Sequence, residues 1–344
     1  MHIKADTLDD LLHEVFRKLL KSKVRTRSSK GPAREIMAAL LTIKNPTARF
    51  SRTENRATLF SCLGETLWYL SGSNRLNVIE YYIPNYREFL GLPHDAVVTT
   101  GAYGPRLRSP AGVKQIEMII DMLKRKRDTR QAVVQIFDSA DLQNSTGDVP
   151  CTCTLQFLAR GGSLHMLTTM RSNDAYLGLP HDVFAFTMIQ ELVARSISQE
   201  VGVYNHAVGS LHLYDAKERH AKEYLDEGWQ EKMTMPSMPA GDPWSSIEWL
   251  LETEALIRLG QGESVNLDDA DPYWADLARL LKIKALFDAN DKRGIVRQKN
   301  AMSCKVYDAF IRGKAERALV DRNASQLIFP EIEATGRRQE GSNS

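Results

Sequence analysis

Five short stretches carry side chains with the types and spacing to do chemistry. Cys151 follows Pro150 and opens Cys-Thr-Cys-Thr-Leu-Gln-Phe. A cysteine nucleophile acts as its thiolate, which a neighbouring cation stabilises. The alternative is that Cys151 and Cys153 are two small residues entering a strand. No second cysteine pair or suitably spaced histidine pair completes a zinc site, so no metal is expected. Met170-Arg171-Ser172-Asn173-Asp174 sets a planar donor fork beside a hydroxyl, which suits a phosphate or else a solvated loop. Leu177-Gly178-Leu179-Pro180-His181-Asp182 leads into an apolar run, where Asp182 suits a site or a helix cap. His212 and Tyr214 alternate onto one strand face, where they would meet a sugar hydroxyl or pair with each other. Glu65 lies amid apolar residues in Gly64-Glu65-Thr66-Leu67-Trp68-Tyr69-Leu70, which implies a buried hydrogen-bond network or an acid–base role.

Elements of both kinds must position these groups. Leu8, Leu11, Leu12, Val15, Phe16 and Leu19 share a helical face between Thr7 and Leu20. Arg25 to Lys30 reads as a basic loop closed by Gly31-Pro32, and Arg34 to Ile43 as a strand. Helices are expected over Asn55–Leu70, Val113–Arg127 and Asp182–Ser198. Strands are expected over Gln131–Phe137 and Val201–Tyr214, with a hairpin joining Thr152–Arg160 to Ser163–Met170 through Gly161-Gly162. Strands and helices mix without regular alternation, so the class is α+β. After Tyr214 the chain turns helical, with runs at Trp244–Leu259 and Tyr273–Phe287. The expected division is a catalytic domain over 1–225, a helical extension over 226–333 and a disordered tail over 334–344.

The 344 residues carry a net charge of +2, with 43% apolar and 26% charged residues, as in a folded globular protein. Near-neutrality provides no global field for nucleic acid or an anionic membrane, though a small cationic pocket is compatible with it. Four cysteines are too few for a disulfide framework. No stretch reaches the roughly 20 apolar residues of a membrane span, and the first residues lack a signal-peptide pattern, so a reducing, cytoplasmic location is expected. Asn144-Ser145-Thr146 matches a glycosylation triplet and is read as coincidence.

Taken in order, Gly64–Leu70, Gly101-Ala102-Tyr103-Gly104, Asp128-Thr129-Arg130, Pro150-Cys151 with Gln156-Phe157, Arg171–Asp174, Leu177-Gly178 and His212-Leu213-Tyr214 resemble the thymidylate synthase superfamily over about residues 7 to 225. Within it the sequence looks most like the deoxycytidylate and cytidylate hydroxymethylases. Cys151-Thr152 replaces the synthases' Cys-His. Asp182 stands where they carry the Asn that reads uracil. Cytosine offers an N4 amino donor and a bare N3 acceptor, the reverse of uracil's O4 and N3–H. A carboxylate accepts from N4 and favours a proton on N3; a neutral carboxylic acid donates to N3. Either form suits cytosine, and the sequence leaves the choice open.

The resemblance implies 5,10-methylenetetrahydrofolate as cosubstrate and a nucleotide monophosphate, dCMP or CMP, as acceptor. The Cys151 thiolate would add to C6 of the ring, C5 would take up the one-carbon unit, and water would capture the exocyclic methylene to give a 5-hydroxymethyl nucleotide. Hydride capture would instead give the methyl group of a synthase acting on dUMP. Arg171 and Ser172 match positions that hold the phosphate. Arg130 matches one that a second subunit supplies, implying a homodimer. The basic loop should add Arg25 or Arg27, with Arg27 carried forward as the candidate. Gln156, His212 and Tyr214 match substrate-contacting positions. Glu65 and Tyr103 match positions handling protons and water, and Asp174 and Gly178 match folate-contacting ones. Arg130-Gln131 departs from the family's paired arginines, and Tyr81, Tyr82 and Tyr86 stand near where the synthases place shielding tryptophans. A non-catalytic nucleotide-binding homologue is the alternative from another class.

Overall fold

A computed structural model describes residues 1–28, 30–51, 58–108, 114–143 and 148–315. The expected tail at 334–344 and the Asn144–Thr146 triplet lie outside these residues, as do the first turn expected of the 55–70 helix and position 113.

The strands are β1 (His2–Ala5), β2 (Arg25–Ser28), β3 (Gly31–Ile43), β4 (Val133–Gln135), β5 (Thr152–Arg160), β6 (Ser163–Asp174) and β7 (Glu200–Tyr214). They form one seven-stranded sheet in the order β1-β3-β7-β6-β5-β4, with β2 hairpinned onto β3. The β5–β6 pair is antiparallel and turns at Gly161 and Gly162, both at positive φ (56° and 82°), the geometry a two-residue hairpin requires. β6 and β7 run parallel, so a long crossover must join them. That crossover contains α7 (Gly178–Ser196), following α1 (Leu8–Lys21), α2 (Leu59–Leu70), α3 (Leu76–Glu80), α4 (Tyr86–Leu90), α5 (Tyr103–Arg108) and α6 (Gln115–Arg125) in chain order. The class is α+β, as the mixed pattern implied.

Apolar periodicity explains which sheet face is covered. α1 buries the six residues its spacing nominated, and the Thr7 hydroxyl caps it by accepting from the Asp10 amide at 3.0 Å. Leu155, Phe157, Leu164, Met166, Tyr204 and Val208 alternate onto the same face of β5–β7 and join α1 and α7 in one core. On the opposite face Leu158, Leu167, Val201 and Val203 are only partly buried, and Met37 is 65% exposed.

α8 (Glu218–Asp226), α9 (Trp244–Arg258), α10 (Pro272–Asp288) and α11 (Lys292–Asn300) follow the sheet. A second core lies where residues of α9 and α10 meet Leu59, Phe60, Leu63 and Leu67 of α2 and Phe184, Met188 and Leu192 of α7. A buried ion pair fastens this layer. Arg49 donates to Glu191 at 2.5 Å with both side chains at 0% exposure, and the other Glu191 oxygen accepts from the Met238 amide at 2.7 Å.

Three local expectations need correction. Within the expected 25–30 loop, Arg25–Ser28 form a strand, and Gly31 at φ 117° stands at the start of β3, onto which that strand pairs. β4 holds three residues instead of the seven expected. α7 begins four residues before Asp182, so Asp182 is no cap; Asp174 Oδ1 accepts from the Tyr176 and Leu177 amides at the helix entrance instead.

Candidate active site

Cys151 sits in the turn before β5 and is locked to β6. Its carbonyl accepts from the Arg171 amide at 2.9 Å, while the Arg171 guanidinium donates to the carbonyls of Pro150 (2.9 Å) and Val149 (2.8 Å). Asp148, three residues before the thiol, accepts from the amides of Thr100 (2.7 Å) and Gly101 (3.1 Å) and from the Thr99 hydroxyl. A Cβ on Gly101 would lie 2.5 Å from Asp148 Oδ1, so only glycine permits this approach. The clamp ties the cysteine turn to the segment that delivers Tyr103, whose hydroxyl accepts from the Thr152 amide at 3.3 Å. Sequence reasoning missed Asp148; its one signal was the glycine at 101.

Burial pushes the Cys151 thiol above its ordinary value, and Asp182 and Cys153 add to this, against the lowering effect of Arg171 and Lys30. Arg171 and Lys30 thus favour the thiolate, as the sequence implied for neighbouring cations, but burial has the larger effect. In the free protein the loss of solvation outweighs the cations, and the sulfur stays a thiol at neutral pH.

The acidic side chains are similarly shifted. Glu65 is 6% exposed on α2, and burial raises its carboxyl to about 7, opposed by a hydrogen bond from Tyr69. Burial, reinforced by the charges of Glu65 and Asp174, holds Asp182 well above the usual carboxylate range, against the lowering effect of Asn173. Tyr103 is likewise kept protonated by burial. The charges of Asp182 and Tyr103 act on the thiol and on one another, and that of Glu65 acts on Asp182, so these buried groups form a coupled set reaching to Cys151.

The other candidates divide. Ser172 is half-buried on β6, in register with Ser210 on β7. The rings of His212 and Tyr214 meet edge to face at 4.9 Å, on one face as expected, and the Tyr214 hydroxyl lies 3.3 Å from the Ser28 hydroxyl. Asp174 Oδ2 is buried with no hydrogen-bond partner among the described residues. A Cβ on Gly178 would lie 3.0 Å from Asn173 Nδ2, so this glycine makes room for a protein side chain.

Within the basic segment, Arg25 pairs with Asp215 and Glu218. Arg27 is exposed on β2. Lys30, which sequence reasoning passed over, is the residue of this segment whose charge acts on Cys151, and its ammonium lies 3.7 Å from the Phe89 ring centroid. Gln156 points to the partly open sheet face, where its amide donates to the Arg130 carbonyl at 3.1 Å. Arg130 itself is exposed. Neither is brought to the cysteine. Tyr82 turns away from the site to donate to Glu254 of α9 at 2.8 Å, and Tyr81 lies under Lys284 of α10. Among the described residues no group of three or more His, Cys, Asp or Glu side chains is placed to hold a metal ion, and no helix is long and apolar enough to cross a membrane.

Known proteins share both the sequence pattern and the fold. The profile of the family described as Thymidylate synthase matches residues 8–245. A protein of Pseudomonas phage M6 named deoxyuridylate hydroxymethyltransferase is 32% identical over 218 residues, covering 62% of this chain and 61% of that protein. One of Bacillus phage SP01 with the same name is 31% identical over 195 residues, covering 53% and 50%. The chain thus spans about half to three-fifths of the length of these relatives. A crystal structure of thymidylate synthase from T4 phage superposes with a TM-score of 0.57 at 22% identity, over 72% of this chain and 92% of that one, a likeness of fold.

Proposed function

The chain belongs to the thymidylate synthase family, and from that premise we propose that it transfers a one-carbon unit to C5 of a cytidine monophosphate nucleotide and captures it with water as a 5-hydroxymethyl group. The observation that carries this reading is Asp182, a buried carboxylic acid whose surroundings keep it neutral. A neutral acid offers one donor and one acceptor, the pair cytosine's N3 and N4 require.

In this proposal Cys151 forms the bond to C6, and its thiol loses its proton as the nucleotide arrives. Asp182 donates to N3 and so draws electron density from the ring during that attack. C5 then carries the nucleophilic electron pair. 5,10-Methylenetetrahydrofolate, the cosubstrate, would supply the carbon at the formaldehyde oxidation level: C5 would bond to its methylene carbon, and loss of the C5 proton with cleavage of the methylene–N5 bond would release tetrahydrofolate and leave the exocyclic methylene. The unpartnered Asp174 Oδ2 suits an N–H donor of such a ring system. Glu65, with a carboxyl near 7, exchanges protons with the base and with the attacking water. Once water has added to the exocyclic methylene, the C6–sulfur bond breaks.

In this reading Arg171, Ser172 and Lys30 hold the 5′-phosphate, with Arg27 as a further candidate, and His212 and Tyr214 contact the sugar; the charges of Arg171 and Lys30 act on one another, which supports the assignment of that pair. Arg130 and Gln156 lie on the sheet face where Leu158, Leu167, Val201, Val203 and Met37 are left partly or largely uncovered. A second copy packed there would cover these apolar residues and receive Arg130 in its own site, giving a homodimer. The catalytic unit spans residues 1–225, and in the extension that follows, the described residues of α9 and α10 brace α2 and α7. The location is the cytoplasm, with no nucleic-acid or membrane partner.

A second reading, deoxyuridylate as acceptor, is favoured by the names of the two phage relatives. Incubation of CMP, dCMP, UMP and dUMP with methylenetetrahydrofolate in oxygen-18 water, followed by mass analysis, decides between them. The proposal expects labelled hydroxymethyl product from a cytidylate and tetrahydrofolate as coproduct. Labelled product from dUMP alone would establish the second reading. Dihydrofolate with a methylated product would overturn both.

A further inference from the structure

A carboxylic acid has a weakness as a reader of bases. An amide has a fixed donor end and a fixed acceptor end, whereas the proton of a carboxylic acid can sit on either oxygen. Cytosine and uracil require opposite orders of donor and acceptor at N3 and the 4-position. An Asp182 whose proton is free to move would serve both. Something must fix the order if the site is to choose.

A buried chain of side chains ends on Asp182 and runs in one direction. Asn173 Nδ2 donates to Asp182 Oδ2 at 2.7 Å; Asn173 Oδ1 faces His206 Nε2 at 3.0 Å; His206 Nδ1 faces the Tyr204 hydroxyl at 2.7 Å. Tyr204 and His206 are wholly buried, and Asn173 and Asp182 are 4% and 8% exposed. Each direction follows from the one before. With its amide N–H turned to Asp182, Asn173 offers only its oxygen to His206, so Nε2 carries the proton. The imidazole is neutral, its value lowered to about 3 by burial, so Nδ1 is a lone pair that accepts from Tyr204. Reversal would require the Asn173 amide to turn over and the His206 proton to change nitrogen together. The local sequence is arranged for the chain. Tyr204 and His206, two apart on β7, share a face with Asn173 on the parallel neighbour β6, and the Asn173 amide lies in the gap left by the missing side chain of Gly178.

We propose that Tyr204, His206 and Asn173 are positioning residues that set base specificity: they hold Asp182 Oδ2 permanently as an acceptor and confine the carboxyl proton to Oδ1. The inference rests on the reading of Asp182 as the base-contacting group. The relay turns a two-way acid into a one-way donor–acceptor pair, the same service an amide gives the synthases.

The test compares kcat/KM for dCMP and dUMP in three variants. His206→Phe breaks the relay, and the cytidylate-to-uridylate ratio is expected to move toward unity by roughly tenfold, the scale of one ordered base contact. His206→Gln, whose amide can accept from Tyr204 and donate to Asn173, is expected to recover most of the ratio. Tyr204→Phe deletes one hydroxyl at nearly constant volume and is expected to shift the ratio in the same direction, by less; it serves if His206→Phe does not fold. If both substrates lose kcat/KM in parallel and glutamine is no better than phenylalanine, the residues are merely structural and the inference is overturned. A wild-type enzyme that prefers dUMP would defeat the cytidylate reading alone. The relay would still stand on a tenfold change of ratio in His206→Phe and fall on an unchanged one.

Discussion

Replacing Glu65 by Gln should stabilise the protein while disabling it, and the stabilisation should depend on pH in a defined way. Burial on α2 raises the Glu65 carboxyl from 4.5 to about 7. Below pH 4.5 the group is protonated in both folded and unfolded chains and contributes nothing. As pH rises toward 7, the unfolded chain releases its proton and the folded one retains it, so folding is increasingly penalised. Above 7 the penalty is constant. Each pH unit crossed between the two values costs about 1.4 kcal/mol, so the penalty reaches roughly 3 kcal/mol. Glutamine has the same shape and no proton to lose, so the variant is relieved of this cost. Urea unfolding of both proteins between pH 4.5 and 8.5 reads the effect directly, because titrations common to both cancel in the difference. The expected result is a stability gain for Glu65→Gln that is small at pH 4.5 and larger by about 3 kcal/mol at pH 8, with turnover reduced by a factor on the order of 10² to 10⁴. A difference that does not change with pH would refute the raised carboxyl, and with it the assignment of Glu65 as a proton donor near neutrality.

Other outcomes follow from the same packing. Glu191→Gln leaves Arg49 charged and buried without its counter-ion, which should cost roughly 3–5 kcal/mol in chemical denaturation; a loss under about 1 kcal/mol would show the pair to be dispensable. Gly64→Ala would place a Cβ 2.2 Å from the Tyr82 ring, so a destabilisation on the order of 1–3 kcal/mol from overpacking is expected as a drop in thermal midpoint. Alkylation of Cys151 by iodoacetamide, followed by mass spectrometry, should show a pH midpoint above that of free cysteine, because burial outweighs Arg171 and Lys30; a midpoint below neutrality would contradict that balance.

Much of this arrangement is legible in the sequence because it is local or ordered along the chain. The Thr7 cap and the spacing of Leu8, Leu11 and Leu12 mark α1 almost to the residue. The order of short motifs from Gly64 to Tyr214 points to the family, and the chemistry of Asp182 as a reader of cytosine needs only its residue type. What is not legible depends on through-space neighbours. The relay joins Asn173 to His206, 33 positions apart, through a parallel strand pairing that no local pattern announces. In the sequence Lys30 is one more cation beside Arg25 and Arg27, and only the fold pairs Arg25 with Asp215 and Glu218 instead. The thiol's upward shift reflects a balance between burial and two cations, and neither spacing nor composition gives its sign. Tyr82 stands in the sequence where a shield for the site is expected, but its partner Glu254 comes from a segment with no counterpart in the resemblance.

If Asp182 chooses the base, exchanging it for an amide should reverse the choice, and no other measurement bears on the proposed function so directly. kcat/KM for dCMP and dUMP should be measured in the wild type and in Asp182→Asn. The wild type is expected to favour dCMP, and the variant to favour dUMP: with the Asn173 amide turned over and the His206 proton moved to Nδ1, the new amide presents its donor to O4 and its acceptor to N3–H. A variant that still prefers dCMP, or a wild type indifferent to the base, would contradict the role given to Asp182.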